Sequence, residues 1–289
     1  LSLIVSMNIG IGSVFAGEQN TVPGTAEQPF VVTDGLFDQT KTESDLGLSK
    51  IEGAETVTVF TATDDTDHYC NGVVMTEFKG KLYTQWQSSA KDEDAEDTWV
   101  AYSVSDDNGA TWSEPKVLVP TIDNGYCSSG GWFVSGDTLV SYINVWYSDT
   151  TPRGGFAYYV ESTDGEHWSE MKPVLMKDGT PMEGIIEQDP HVLASGRIVN
   201  AAHFQPGLFA YPIYTDDPSG TKGWVKAQYT CMEQGEGATT SREMEPSLFV
   251  NEDGTIVMTF RDQKSSFVRL AAISTDQGET WSETVSTNM

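Results

Sequence analysis

Basic residues are scarce in this chain. Lys and Arg together number 16 against 43 Asp and Glu residues, which gives a formal net charge of −27 over 289 residues. A surface this acidic repels phosphate backbones and anionic lipid headgroups, so we expect neither nucleic acid nor a membrane surface as a partner. Each arginine is therefore a candidate for local anion binding. The arginines are Arg153, Arg197, Arg242, Arg261 and Arg269.

Long apolar runs are absent after the first 15 residues. Residues 1–15 are apolar and uncharged, and Val14-Phe15-Ala16 resembles a signal-peptidase site. The run is too short to cross a bilayer, and neither an initiator Met nor a basic segment precedes it. We interpret residues 1–16 as the remnant of a signal peptide and residues 17–53 as a polar leader. These features predict a secreted or periplasmic protein without a membrane span.

A turn motif with Asp, Gly and a closing Trp occurs four times. The copies are Ser105–Trp112, Ser162–Trp168, Thr215–Trp224 (a stretched version) and Ser274–Trp281. Their tryptophans are 56, 56 and 57 residues apart. In such a turn the Asp side chain bonds local backbone N–H groups, and the Trp packs beneath the turn.

A second landmark repeats in phase with the first. Hairpin-like turns at Gly80, Gly136, Gly196 and Gly254 separate apolar alternating runs. Each repeat therefore predicts four antiparallel strands, which is typical of a propeller blade. The sequence predicts an all-β β-propeller of four-stranded antiparallel blades over residues 54–289, with about four blades present. Their predicted starts lie near Tyr69, Tyr126, Glu187 and Glu245, and a lone strand is predicted over residues 55–60.

The four turns resemble the Asp-boxes of the sialidase (neuraminidase) superfamily, and the resemblance covers about residues 54–286. It implies a propeller of six blades, or of seven as in related lyases, so that four would be part of the whole. The resemblance also implies that Asp107, Asp164 and Asp276 are structural, together with His167 inside the second box. The expected activity is that of an exo-glycosidase on acidic sugars of glycans.

Aligning the repeats on their glycines brings polar residues together at one mouth of the axial channel. Asn71, Glu245 and either Glu187 or Asp189 fall near the starts of inner strands. Gln87, His203 and Arg261 each follow their glycine by seven residues. We expect Asn71, Gln87, Asp189 and Arg242 to bind substrate.

The segment from Glu245 to Arg261 resembles a sialidase segment that joins an active-site Glu to a substrate-binding Arg. The resemblance implies that Glu245 is an acid/base partner and that Arg261 clamps a carboxylate, for which its planar fork is suited. An ion pair between these two residues at the mouth is the structural alternative. The acidic loop Ser88–Asp97 offers a general acid or, alternatively, only a solvated surface.

The first repeat departs from the sialidase pattern. Asp67-His68-Tyr69-Cys70-Asn71 stands where that family has an arginine motif. Two alternatives therefore stay open. A uronate-directed polysaccharide lyase would use Arg261 to neutralise the carboxylate, His68 or His203 as base and Tyr69 as acid. The other alternative is a propeller that binds glycans without catalysis.

Three cysteines are present, so one disulfide would leave a free thiol. Cys70, Cys127 and Cys231 fall near inner-strand starts on one face of the predicted blades. Joined by His68 or His191, they would form a structural Cys₃His zinc site. A disulfide plus a free thiol is the alternative, and the proposed glycosidase chemistry itself requires no cofactor.

Overall fold

The computed structural model describes residues 24–38, 40–42, 47–49, 51–63, 65–232 and 234–289. The predicted signal remnant, residues 1–16, lies outside them, as does the leader up to residue 23. Every described residue is in a strand, a turn or irregular structure. In this part of the chain no helix has the length and apolar character needed to span a membrane.

Four antiparallel sheets follow one another along the described chain. The first contains β1 (Tyr69–Phe78), β2 (Lys81–Ser89), β3 (Trp99–Ser105) and β4 (Lys116–Val119). The second contains β5 (Gly125–Ser135), β6 (Thr138–Tyr147), β7 (Phe156–Ser162) and β8 (Lys172–Pro173). The third contains β9 (Gly184–Ile185), β10 (His191–Val192), β11 (Ile198–Phe204), β12 (Phe209–Thr215) and β13 (Val225–Lys226). The fourth contains β14 (Glu243–Val250), β15 (Ile256–Asp262), β16 (Arg269–Ser274) and β17 (Val285–Ser286).

Each sheet is one propeller blade, so the predicted all-β fold and its four blades are confirmed. Consecutive strands pair within each blade. In the third blade β9 and β10 both pair with β11, so two short strands share the innermost position. The predicted glycine turns lie directly before β2, β6, β11 and β15, and Gly80, for example, has a φ of 76° that favours glycine.

The core consists of three apolar clusters, each packed between successive blades. Tyr83 of the first blade and Trp132 of the second belong to one cluster. Tyr142 and Trp224 join the second blade to the third. Strands β11 and β15 supply much of the cluster between the last two blades. Because each blade buries a face against its neighbour, the inner strands are held in a fixed relation around the axis.

The segment before β1 contacts the blades without forming the predicted extra strand. Residues 55–60 have no strand assignment, so that prediction is wrong, and most of them are exposed. A strand requires a sheet edge for its backbone hydrogen bonds, and this segment contacts the first blade through a side chain instead. Phe60 stacks on Trp86 with ring centroids 6.2 Å apart. Further back, Val32 exchanges two 2.7 Å hydrogen bonds with the side chain of Asn288.

The Asp-box turns have the predicted local bonding. In the first box, Asp107 Oδ1 accepts hydrogen bonds from the Ser105 hydroxyl and from the backbone N–H of Thr111, both at 2.8 Å. Bonds from Thr111 lower the pKa of Asp107 to about 2. Asp276 makes the same contacts with Ser274 and Thr280. These carboxylates are occupied by their own turns.

The box tryptophans are less uniform than predicted. Trp224 is fully buried, and its Nε1 donates to the carbonyl oxygen of Gly220 at 2.8 Å. Trp168 and Trp281 are partly buried against the first and third clusters. Among the described residues Trp112, which belongs to the first blade, is in none of the three clusters, whereas the other three box tryptophans each pack against the blade that precedes their own.

Candidate active site

A cavity of about 540 Å³ lies where the inner strands of all four blades meet. We call it the central cavity. A backbone irregularity opens each inner strand towards it. Register shifts interrupt β1 after Asn71, β5 after Ser129 and β14 after Met244, and the third blade has a gap between β9 and β10. A bulge re-aims side chains and ends local pairing, which explains why polar groups at these points reach the axis.

The fourth blade contributes Glu245 and Arg261. Arg261 Nε lies 3.0 Å from Glu245 Oε2, and the two side chains are 48% and 55% exposed. Glu245 sits in the bulge of β14 with a φ of 51°, a left-handed conformation that a Glu rarely adopts. Among the described residues neither Nη atom of Arg261 has a hydrogen-bond partner, so the fork is available to an anion.

The third blade contributes a histidine–glutamate pair. His203 Nδ1 lies 2.9 Å from Glu187 Oε2, and the His203 side chain is 1% exposed while that of Glu187 is 36% exposed. Burial raises the pKa of Glu187, but the facing His203 and Arg261 outweigh it, so that the pKa lies below its usual range. Glu187 is therefore an ionised carboxylate at the cavity surface with His203 behind it.

The first two blades contribute a second charged group to the central cavity. Asp94 accepts hydrogen bonds from the hydroxyl of Tyr126, at 2.7 Å, and from the guanidinium of Arg153. That guanidinium lies over the ring of Trp146, with its carbon 4.8 Å from the ring centroid. Trp146 in turn stacks on Tyr126. These contacts hold Asp94, in the loop after β2, in one orientation.

Glu93 connects the predicted first-blade residues. Its carboxylate accepts hydrogen bonds from the side chains of Asn71, at 3.1 Å, and Tyr69, at 3.2 Å. Its backbone oxygen accepts one from Gln87 Nε2 at 3.4 Å. Asn71, Gln87 and Glu93 line the central cavity, whereas Tyr69 reaches it only through Glu93.

Five of the nine predicted catalytic and substrate-binding residues thus line the central cavity, namely Glu245, Arg261, His203, Asn71 and Gln87. His68 is exposed outside it. Arg242 is paired with buried Asp262, with its Nε 3.0 Å from Asp262 Oδ1, so its charge is already neutralised. Asp189 accepts a 2.6 Å hydrogen bond from the backbone N–H of Trp132 instead of facing the cavity. These three residues do not line the central cavity.

The three cysteines do not form the predicted zinc site. Cys70 is exposed at the start of β1, Cys127 is buried in the first core cluster, and the thiol of Cys231 contacts the hydroxyl of Tyr211. All three are free thiols in the structure. Within the described ranges no group of three or more His, Cys, Asp or Glu side chains is placed to hold a metal ion.

Replacing Asp189 by Asn is expected to make stability less dependent on pH. Burial raises the pKa of Asp189 to about 6, so the folded state holds its proton more tightly than the unfolded chain does. The contribution of Asp189 to wild-type stability therefore falls as the pH rises from about 4 to about 6 and stays lower above that, by on the order of 2–3 kcal/mol. The variant lacks this loss and keeps an oxygen for the Trp132 N–H.

Urea unfolding of both proteins at about pH 4 and about pH 7 checks the pH effect at Asp189. The variant should gain relative to wild type only at the higher pH. An equal difference at both pH values would contradict an ionisable, buried Asp189.

Several cavity residues were missed from the sequence. Arg153 was singled out only as one of five arginines, and Asp94 only as part of an acidic loop. Tyr126 marked a blade start without a functional role, and Glu187 was weighed only as an alternative to Asp189. The position seven residues after a turn glycine predicts cavity residues on β2, β11 and β15. No comparable sequence signal marks loop residues such as Asp94.

The chain is similar in sequence to one family and in fold to several solved structures. A family model described as "BNR repeat-like domain" matches residues 80–289. No curated protein sequence matches. A protein of unknown function from Dyadobacter fermentans superposes with a TM-score of 0.63 at 14% identity, covering 79% of this chain and 71% of that one.

Two sialidases are also similar in fold. The Hadza microbial sialidase Hz136 gives a TM-score of 0.58 at 18% identity, covering 78% of this chain but only 48% of its own length. The intramolecular trans-sialidase from Ruminococcus gnavus, in complex with oseltamivir carboxylate, gives 0.58 at 14% identity, covering 80% of this chain and 73% of that one. At sequence identities of 18% and 14%, these superpositions show that the folds are similar.

Proposed function

Because the chain belongs to the BNR repeat-like domain family, we propose that it is a glycoside hydrolase that removes an acidic sugar from glycans in the central cavity. The sialidase-like blades supply the frame for this proposal. Residues 1–16, with their apolar run, support a secreted or periplasmic enzyme. Glycans or polysaccharides are the expected partners.

The observation that carries the proposal is the state of Arg261. Its guanidinium is half exposed in the cavity, it bonds Glu245 through Nε, and its two Nη atoms are unpartnered within the described residues. The edge of the guanidinium formed by its two Nη atoms is therefore available for two parallel hydrogen bonds to a carboxylate. On a chain of charge −27, an anionic sugar needs such a local cation to offset the surrounding field.

Two carboxylates are available for the hydrolytic step. Hydrolysis breaks the bond between the anomeric carbon and the leaving oxygen, which must gain a proton, and adds water at that carbon. Asp94 is held by Tyr126 and Arg153 at one wall, and Glu245 stands at another. We assign these two residues as the acid/base pair. Glu187 and Asn71 would bind hydroxyl groups of the sugar.

The contacts of His203 favour hydrolysis over elimination. A lyase base must touch the C5 proton of a uronate. The His203 side chain is only 1% exposed and lies behind Glu187, while His68 is outside the cavity. A glycan-binding propeller without catalysis finds support in the segment Asp67–Asn71, which stands where the sialidase pattern has an arginine motif.

Incubation with a fluorogenic α-sialoside tests the proposal, and we expect release of the fluorophore together with a free acidic sugar. Chromatography of a uronate polysaccharide treated in parallel distinguishes the alternatives. An unsaturated uronate product would replace the hydrolase by the lyase. Binding of the sialoside without any product would replace it by the non-catalytic module.

A further inference from the structure

Carboxylates outnumber cations around Arg261 in the central cavity. Glu245 Oε2 lies 3.0 Å from Arg261 Nε. Glu187 faces the same guanidinium from the third blade, where burial raises its pKa but His203 and Arg261 lower it further, so that the carboxylate stays ionised. Two carboxylates therefore share one guanidinium. A sugar carboxylate placed on Arg261 adds another negative charge, and like charges this close disfavour one another.

His203 is placed to offset that added charge. Its side chain is 1% exposed, and its Nδ1 lies 2.9 Å from Glu187 Oε2. This contact does not have the direction of a hydrogen bond, and within the described residues neither ring nitrogen has a hydrogen-bond partner. Imidazole is the side chain that gains and loses a proton near neutral pH. Since neither nitrogen is committed to another group, the ring can take up a proton without breaking a bond.

The strands packed around His203 contribute few ionisable groups. On the flanking strands it stands opposite Ile185 of β9 and Ala210 of β12, which do not ionise. The second blade meets β11 through the second apolar cluster. The fourth blade meets it through the third cluster and contributes Arg261 and Glu245, which bind each other. A negative charge bound on Arg261 therefore acts first on the imidazole and its partner carboxylate.

The charged side chains that the first two blades contribute to the central cavity are held among themselves. Asp94 accepts hydrogen bonds from Tyr126 and Arg153. Glu93 accepts one from Asn71. These groups are committed to one another, so they are poorly placed to respond to a charge bound at the fourth blade.

We propose that the Glu187–His203 pair takes up a proton when an acidic sugar binds, so that the sugar enters the central cavity as an anion together with that proton. This role rests on the proposed function, which places the sugar carboxylate on Arg261. Because the two groups are coupled, the proton belongs to the pair and not to one residue. Binding raises the proton affinity of the pair, and by linkage a rise in pH weakens binding although the sugar stays ionised.

Calorimetric titration with a methyl α-thiosialoside, whose sulfur linkage resists hydrolysis, tests the proposal on the full chain. Titrations in phosphate and in Tris at about pH 7 should differ by the heat of about one proton drawn from the buffer, because the two buffers differ in ionisation enthalpy. The dissociation constant should rise at least about fivefold between about pH 6 and about pH 8. The methyl ester of the same ligand adds no charge and should show neither effect.

Three variants assign the proton. His203→Gln and Glu187→Gln should each abolish the buffer-dependent heat and flatten the pH dependence of binding. The matched control is His191→Gln, because His191 is a partly buried histidine on β10 of the same blade but outside the central cavity, and this variant should keep both effects. If His203→Gln does not fold, Glu187→Gln against His191→Gln decides, since the Glu187 side chain is 36% exposed.

The outcomes distinguish this role from the proposed function. Proton-linked binding of the thiosialoside without hydrolysis of an oxygen-linked sialoside would contradict the proposed enzyme but not the proton uptake. Hydrolysis with equal binding heats in the two buffers would contradict the proton uptake but not the enzyme. Proton uptake that persists in both His203→Gln and Glu187→Gln, or the absence of any binding, would also overturn the role of the pair.

Discussion

Replacing Arg261 by Lys is expected to lower kcat/KM on an acidic glycan and to leave the melting temperature unchanged. The expected loss of transition-state stabilisation is about 2–5 kcal/mol. Lysine keeps the charge but offers a point contact in place of two parallel bonds to the carboxylate. The fold should tolerate the change because the pair with Glu245 is half exposed, and such pairs contribute at most about 1 kcal/mol. Steady-state kinetics and thermal melting on one preparation measure both quantities.

Arg197→Lys is the matched control for this experiment. Arg197 is 14% exposed, bonds Asp216 and Glu279 at 2.7 Å each, and lies over the ring of Tyr214. It is an arginine with a structural role away from the central cavity, so its replacement should lower the melting temperature and spare turnover. If Arg261→Lys behaves in that way instead, Arg261 forms a structural ion pair and does not bind substrate.

Replacing Trp224 by Ala is expected to cost about 3–5 kcal/mol of folding free energy, the usual range for truncating a buried aromatic residue. Trp224 is fully buried in the cluster between the second and third blades, and its loss also leaves the Gly220 carbonyl without its indole donor. Urea unfolding followed by circular dichroism measures the change.

Trp112→Ala provides the comparison at the equivalent position of the first repeat. Since Trp112 belongs to no core cluster of the described residues, its truncation should cost about 1 kcal/mol, the ordinary loss for a partly buried site. Equal losses at the two positions would show that the box tryptophans are interchangeable supports.

The fold was largely predictable because its signal is repeated. A tryptophan every 56 or 57 residues and a glycine in phase with it locate the blades, and the strands begin at or near the predicted positions. The strand expected over residues 55–60 failed because alternation of side chains does not reveal whether a sheet edge is free to pair with it. A repeat specifies its own internal pairing, whereas a single segment does not.

The site was predictable only in part, because bulges decide which side chains face the axis. Glu187 and Asp189 are two residues apart and face the same way in a regular strand. Both lie in the gap between β9 and β10, where the alternation of a regular strand does not hold, so that Glu187 reaches the cavity and Asp189 bonds Trp132. Likewise, the spacing of Arg242 gives no sign of its pairing with Asp262, which depends on the register of β14 against β15.

A carboxylate bound by Arg261 in the central cavity can be detected with two ligands that differ in that one charge, a methyl α-sialoside and its methyl ester. Their dissociation constants are measured for the wild-type protein and for Arg261→Lys. We expect the acid to bind the wild-type protein at least about tenfold more tightly than the ester, and Arg261→Lys to remove most of the difference. Equal affinity of the wild-type protein for the acid and the ester would contradict this role of Arg261.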